Sequence, residues 1–156
     1  MLDLKAEVLI NGTPVGMGEL DNVSQLTSTF NRTMLNTINL ALTNGPASLF
    51  PGNQLQLRVS GRSTCSAGSQ VVSGTARLWY NGKAIDRGKK MDAGSRFNAT
   101  IGGSSSDYLL RTDSTTLLFL STAAGSSRTS IDEFVDDGTP CPNRPFTAFG
   151  TWSITQ

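Results

Sequence analysis

The chain has 156 residues, 37% of them hydrophobic and 16% charged, with a formal net charge of +1 and no histidine. The length fits a single domain spanning 1–156 with a core of its own, and the apolar share excludes a disordered chain. The missing histidine excludes the common Ser-His-Asp and Cys-His nucleophile arrangements and the His-bearing zinc sites, and the near-zero charge excludes a global field for nucleic acid.

Strand signals recur from the start of the chain. Leu4–Ile10 is apolar-rich and stops at Asn11-Gly-Thr-Pro14, a turn. Val23–Phe30 alternates loosely. In Asn36–Thr43, Ile38, Leu40 and Leu42 alternate with polar or small residues, which predicts a half-buried strand with one wet face. Asn44-Gly-Pro and then Pro51-Gly-Asn53 break the chain. Gln54–Ser60 gives the clearest alternation, with Leu55, Leu57 and Val59 on one face and Gln54, Gln56 and Arg58 on the other. The stretch from Ser60 to Gly74 reads as a long loop.

Ala76, Leu78 and Tyr80 alternate with Arg77 and Trp79, and Asn81-Gly82 follows at once. Asn-Gly between Ala76–Tyr80 and Lys83–Asp86 predicts a hairpin, because a type I′ turn needs positive φ at both central positions. Arg87–Gly94 is a basic loop. Phe97, Ala99 and Ile101 form the next alternating run, ended by Gly102-Gly-Ser-Ser-Ser106. Tyr108–Arg111 and Thr115–Ser121 read as a hairpin around Thr112-Asp-Ser114. Ser130–Val135 fits a strand or one helical turn. Phe146–Thr155 closes the chain, with Phe146, Ala148, Trp152 and Ile154 as core candidates.

These signals give about nine to eleven short strands and no long apolar period of 3.6 residues. The expected fold is all-β, a single antiparallel sandwich of jelly-roll or immunoglobulin-like architecture with one disulfide. The spacing of Cys65, Trp79 and Cys141 is close to the immunoglobulin pattern, but Pro140 and Pro142 flank Cys141 and Thr139 stands where the tyrosine corner needs Tyr. Two cysteines in a Ser/Thr-rich β-chain point to a Cys65–Cys141 bridge between two loops. Closing so long a loop contributes about 4 kcal/mol in the chain-entropy account.

Several constellations bear on function. Trp79, Tyr80, Arg77 and Asn81 combine aromatic rings with polar neighbours at a hairpin tip. A ring stacks on the apolar face of a sugar while amide or guanidinium groups bond its hydroxyls. Asp132, Asp136 and Asp137 supply oxygen ligands of the kind calcium takes, without the spacing of an EF-hand. No other cofactor is indicated. Basic residues gather within 58–96 and acidic ones within 107–137, either of which is a candidate binding face. Lys83–Arg96 has too few stacking aromatics for a single-strand binder, Gly88-Lys-Lys90 is no phosphate loop, and Gly-x-Gly at 16–18 carries no nucleotide motif. Sequons stand at Asn11, Asn22, Asn31 and Asn98.

No apolar run reaches the roughly 18 residues of a membrane helix. The opening Met-Leu-Asp-Leu-Lys lacks the regions of a signal peptide, which fits a mature or excised piece with an added Met in preference to the alternative, a natural intracellular protein. The functional expectation is a non-catalytic secreted or cell-surface module that binds a glycan or another surface ligand such as a cell-surface protein. It excludes nucleic acid and membrane insertion, and it fits a monomer or a module of a longer chain. A structural spacer or assembly module is the alternative. A histidine-free carboxylate glycoside hydrolase comes third.

Overall fold

The computed structural model describes residues 1–24, 35–64, 76–79, 85–86, 89–90, 96–101, 104–111, 119–121, 128–131 and 145–155. Every helix or strand among them is a strand: β1 (Leu2–Ile10), β2 (Thr13–Val23), β3 (Ala41–Leu42), β4 (Gln54–Ser63), β5 (Ala76–Trp79), β6 (Ile85–Asp86), β7 (Lys89–Lys90), β8 (Arg96–Ile101), β9 (Ser104–Arg111), β10 (Phe119–Ser121), β11 (Arg128–Ile131) and β12 (Thr147–Thr155). Five neighbours in the order β3-β2-β1-β4-β12 form an antiparallel sheet, and the order continues through β10, β9 and β8. Two short pairs, β5 with β11 and β6 with β7, stand apart from it.

The alternation expected in the clearest run is present. Leu55, Leu57 and Val59 of β4 are buried, and they pair across to Ile10, Val8 and Ala6 of β1. Facing side chains on neighbouring strands meet on one side of a sheet, so this register builds one continuous apolar face. Leu2, Phe149 and Trp152 complete that face, and Trp152, opposite Leu57, has no exposed surface. Phe97 and Ala99 of β8 and Ala76 and Leu78 of β5 pack against the same cluster.

Three local expectations give way. First, β2 begins at Thr13, inside the stretch read as a turn, and ends at Val23, where a strand was expected to begin. Its sequence includes Gly16, Gly18, Glu19, Asp21 and Asn22, so it lacks an apolar period of its own. It forms because a two-residue turn, with Ile10 paired to Thr13, folds it back on β1. Second, only Ala41–Leu42 of Asn36–Thr43 joins a ladder. Ile38 and Leu40 nonetheless pack against the core from a segment with no strand pairing.

Third, Phe119 and Leu120 of β10 pair in parallel with Leu110 and Arg111 of β9, which rules out the hairpin around Thr112-Asp-Ser114. Parallel neighbours need a crossover connection rather than a tight turn. The partner that β9 does fold against is β8, with Ile101 opposite Ser104 across Gly102-Gly103. The hairpin expected at Asn81-Gly82 turns on residues 80–84, which lie outside the described residues. Of its flanks, β5 pairs with β11, and Ile85–Asp86 pairs with Lys89–Lys90.

A bulge in β12 reassigns part of the predicted core. Ala148 pairs with Ser60 and Gly150 with Val59, so Phe149 is the extra residue on this strand. The bulge shifts the alternation by one position. Phe149 is therefore buried and Ala148 exposed, while Trp152 keeps its inward phase. Phe146 is half-buried and lies on the other side of the sheet, against the charged side chains described next.

Candidate functional site

Among the described residues, two regions gather polar chemistry, and both rest on the pairing of β1 with β4. The first is the outer face of the sheet. Alternation sets Asp3, Lys5 and Glu7 opposite the apolar side of β1, and register places Arg62, Ser60 and Arg58 across from them. Glu7 takes a 2.8 Å ion pair from Arg58 and a 3.1 Å one from Lys5. Asp3 accepts from Arg62 Nε at 3.1 Å, from Thr64 Oγ1 at 2.7 Å and from the Asn22 backbone N–H at 3.0 Å. The Phe146 ring covers this network, 4.3 Å from the Arg62 guanidinium and 5.7 Å from Lys5 Nζ.

Burial pushes the Asp3 carboxyl up, but the Asn22, Thr64 and Arg62 hydrogen bonds and the Arg62 charge outweigh it and hold the group below its ordinary 3.8. Burial raises Glu7 too, and the hydrogen bonds and charges of Arg58 and Lys5 bring it below its ordinary 4.5. Both groups are therefore ionised at neutral pH and fully engaged. This face ties β1 to β2 and β4. Asp3 and Glu7 are held as structural carboxylates, each committed to partners within the sheet.

The second region is a corner made of two turns. Asn11 and Gly12 have φ of 50° and 81° in the two-residue connection of β1 to β2, as a type I′ turn requires. Phe50-Pro51-Gly52-Asn53 forms the other turn. Pro51 sits where its fixed φ is suited, Gly52 takes φ of 86°, and Asn53 N–H bonds the Phe50 carbonyl at 3.0 Å, a type II pattern. Asn53 Oδ1 also accepts from Phe50 N–H at 3.0 Å.

The two turns are joined. Asn11 N–H donates to the Gln54 carbonyl at 2.9 Å, Gln54 N–H donates to Asn11 Oδ1 at 2.8 Å, and Gly12 N–H donates to Gln56 Oε1 at 2.8 Å. The result is a stiff corner carrying the side-chain amides of Asn11, Asn53, Gln54 and Gln56. Beside them stands Phe50, whose side chain is on a residue 65% exposed. An aromatic ring held in the open by a stapled turn, next to amide donors and acceptors, has the chemistry to stack on a sugar ring and bond its hydroxyls.

Sequence reasoning missed this corner. The signal was present in Phe50-Pro-Gly-Asn53, a turn whose first residue is aromatic, but the hydrogen bonds joining it to Asn11 span some forty residues of sequence. Of the sugar-binding candidates, Arg77 and Trp79 lie in β5, with backbones paired to Ser130 and Arg128 of β11. Leu78 between them packs against the core. Tyr80 and Asn81, the calcium candidates Asp132, Asp136 and Asp137, and both cysteines, Cys65 and Cys141, lie outside the described residues. Among the described residues no group of three or more acidic or Cys side chains is placed to hold a metal ion. Against known proteins, the chain matches no family profile, no curated sequence and no solved structure.

Proposed function

We propose that this chain is a non-catalytic binding module of a secreted or cell-surface protein, with a glycan as its ligand. In this reading it is a β-sandwich closed by a Cys65–Cys141 disulfide. Packing of Ala76 and Leu78 of β5, a strand outside the main sheet, against the apolar core supports a second layer there. The observation that carries the functional reading is the exposed Phe50, presented by a turn that both its backbone and Asn53 pin. A rigid aromatic anchor binds at low entropic cost, since little freedom is lost on contact. The Trp79 strand, with Arg77, Tyr80 and Asn81, is a second ligand surface in this proposal, and Asp132, Asp136 and Asp137 form its calcium-dependent element.

A glycan array, run with calcium and again with chelator, tests the reading on the folded, disulfide-intact protein. Phe50→Ala is expected to weaken a calcium-independent hit at least about tenfold, the factor given by roughly 1.4 kcal/mol of lost contact. A hit unaffected by Phe50→Ala but lost in Trp79→Ala moves the site to β5, and a hit lost in chelator moves it to the acidic stretch. Silence across the array overturns the proposal in favour of a structural spacer or assembly module.

A further inference from the structure

The β1–β2 turn carries a reactive dipeptide. In Asn-Gly, the glycine backbone nitrogen is unhindered and can attack the asparagine side-chain carbonyl carbon. Asn11 and Gly12 are in this relation, and two features of the turn act on them in opposite directions. Gln54 N–H bonds Asn11 Oδ1 at 2.8 Å, which fixes the side chain and polarises the carbonyl that would be attacked. Gln56 Oε1 accepts the Gly12 N–H at 2.8 Å and so occupies the nucleophile and its proton. The electrophile is primed and the nucleophile is capped.

We propose that Asn11 is a latent self-modification site and that Gln56 is the positioning residue that holds it unreacted. When the Gln56 contact opens, Gly12 N loses its proton and forms a bond to Asn11 Cγ. The Cγ–Nδ2 bond breaks, and Nδ2 leaves as ammonia with that proton. The cyclic imide is opened by water at one of its two carbonyls, giving Asp or isoaspartate at position 11. The sequence needs no oxidant, reductant or cofactor. Its product places a new carboxylate at the corner where Asn11 meets Gln54. The inference rests on the turn geometry alone and does not require that the corner bind a glycan.

The test follows deamidation at mildly alkaline pH by peptide mapping. The tryptic peptide spanning 6–32 carries Asn11, and the one spanning 33–58 carries Asn44-Gly45 as an internal reference. The expected result is slow conversion of Asn11 in the native protein and conversion about tenfold faster in Gln56→Ala, the factor of one ordinary hydrogen bond. Gln56→Glu keeps an acceptor oxygen for Gly12 N–H and is expected to stay slow, which separates loss of the cap from general loosening of the turn. Gln56→Ala reacting no faster than the unaltered chain overturns the proposal. So does Gln56→Glu reacting as fast as Gln56→Ala.

Discussion

The two faces of β1 are built from alternate residues of one nine-residue strand, yet they hold the sheet in different ways. On the inner side, Leu2, Ala6 and Val8 are buried among Leu55, Leu57, Val59 and Trp152, and their contribution scales with area removed from water. On the outer side, Asp3, Lys5 and Glu7 contribute through geometry. Each carboxylate is satisfied by donors on or next to β2 and β4, with Lys5 of β1 adding to Glu7, and the bonds are worth little unless all parts are in place. The inner face should therefore tolerate pH and salt and fail on loss of volume. The outer face should do the reverse.

The largest expected effect lies inside. Trp152→Ala removes a side chain with no exposed surface and should cost about 4 kcal/mol, read as a fall in the urea midpoint with an unchanged slope. That loss should be the same at pH 7 and pH 4. Next comes the outer face. Asp3→Ala removes the one carboxylate that Arg62 Nε, Asn22 N–H and Thr64 Oγ1 all bond, for a loss of about 3 kcal/mol at neutral pH.

The sign of the pH dependence follows from depressed carboxyls. The folded Asp3 and Glu7 hold protons more weakly than the unfolded chain does, so their stabilisation is complete above the ordinary values of 3.8 and 4.5. It is lost as pH falls from there through the lower folded values. Urea midpoints taken down a pH series should show the native protein weakening in acid and the gap to Asp3→Ala closing. A gap that stays constant across the series would place Asp3 with the inner face, as a packing residue.

A third prediction concerns the sheet's edge. Gly18 lies so close to the segment before β3 that a Cβ there would overlap the Asn39 carbonyl oxygen. Gly18→Ala should cost about 2 kcal/mol through forced displacement, more than the gain from a stiffer unfolded chain returns. The Gly-x-Gly at 16–18, empty as a nucleotide motif, is thus part of how the edge strand seats.

This marks what the residues revealed in advance and what they did not. The inner faces of β4 and β8 were legible because their side chains alternate without interruption, and alternation needs no knowledge of the partner strand. β2 was illegible because its glycines serve close approach and its order is imposed by β1. The end of β12 was half legible: Trp152 follows the simple period, but one bulged residue reverses the places of Ala148 and Phe149. The charge network was hidden for a similar reason, since Asp3 and Arg62 become neighbours only once β1 and β4 are in register. The binding corner needed two turns to meet, and no local pattern announces that meeting.

The smallest expected effect on stability is at that corner, and it is the one that separates presentation from packing. Phe50→Ala removes a ring that is mostly in water, so the fold should change by less than about 0.5 kcal/mol. The turn itself should persist, because Phe50 contributes only its backbone N–H and carbonyl to it. Asn53→Ala is the informative partner: it keeps the ring but removes the Oδ1 that fixes its backbone, at a cost of about 1 kcal/mol. If the corner works by rigid presentation, both variants weaken ligand binding although only one disturbs the fold. If Phe50→Ala proves as destabilising as Trp152→Ala, the ring is a packing element, and the corner loses its claim as a binding surface.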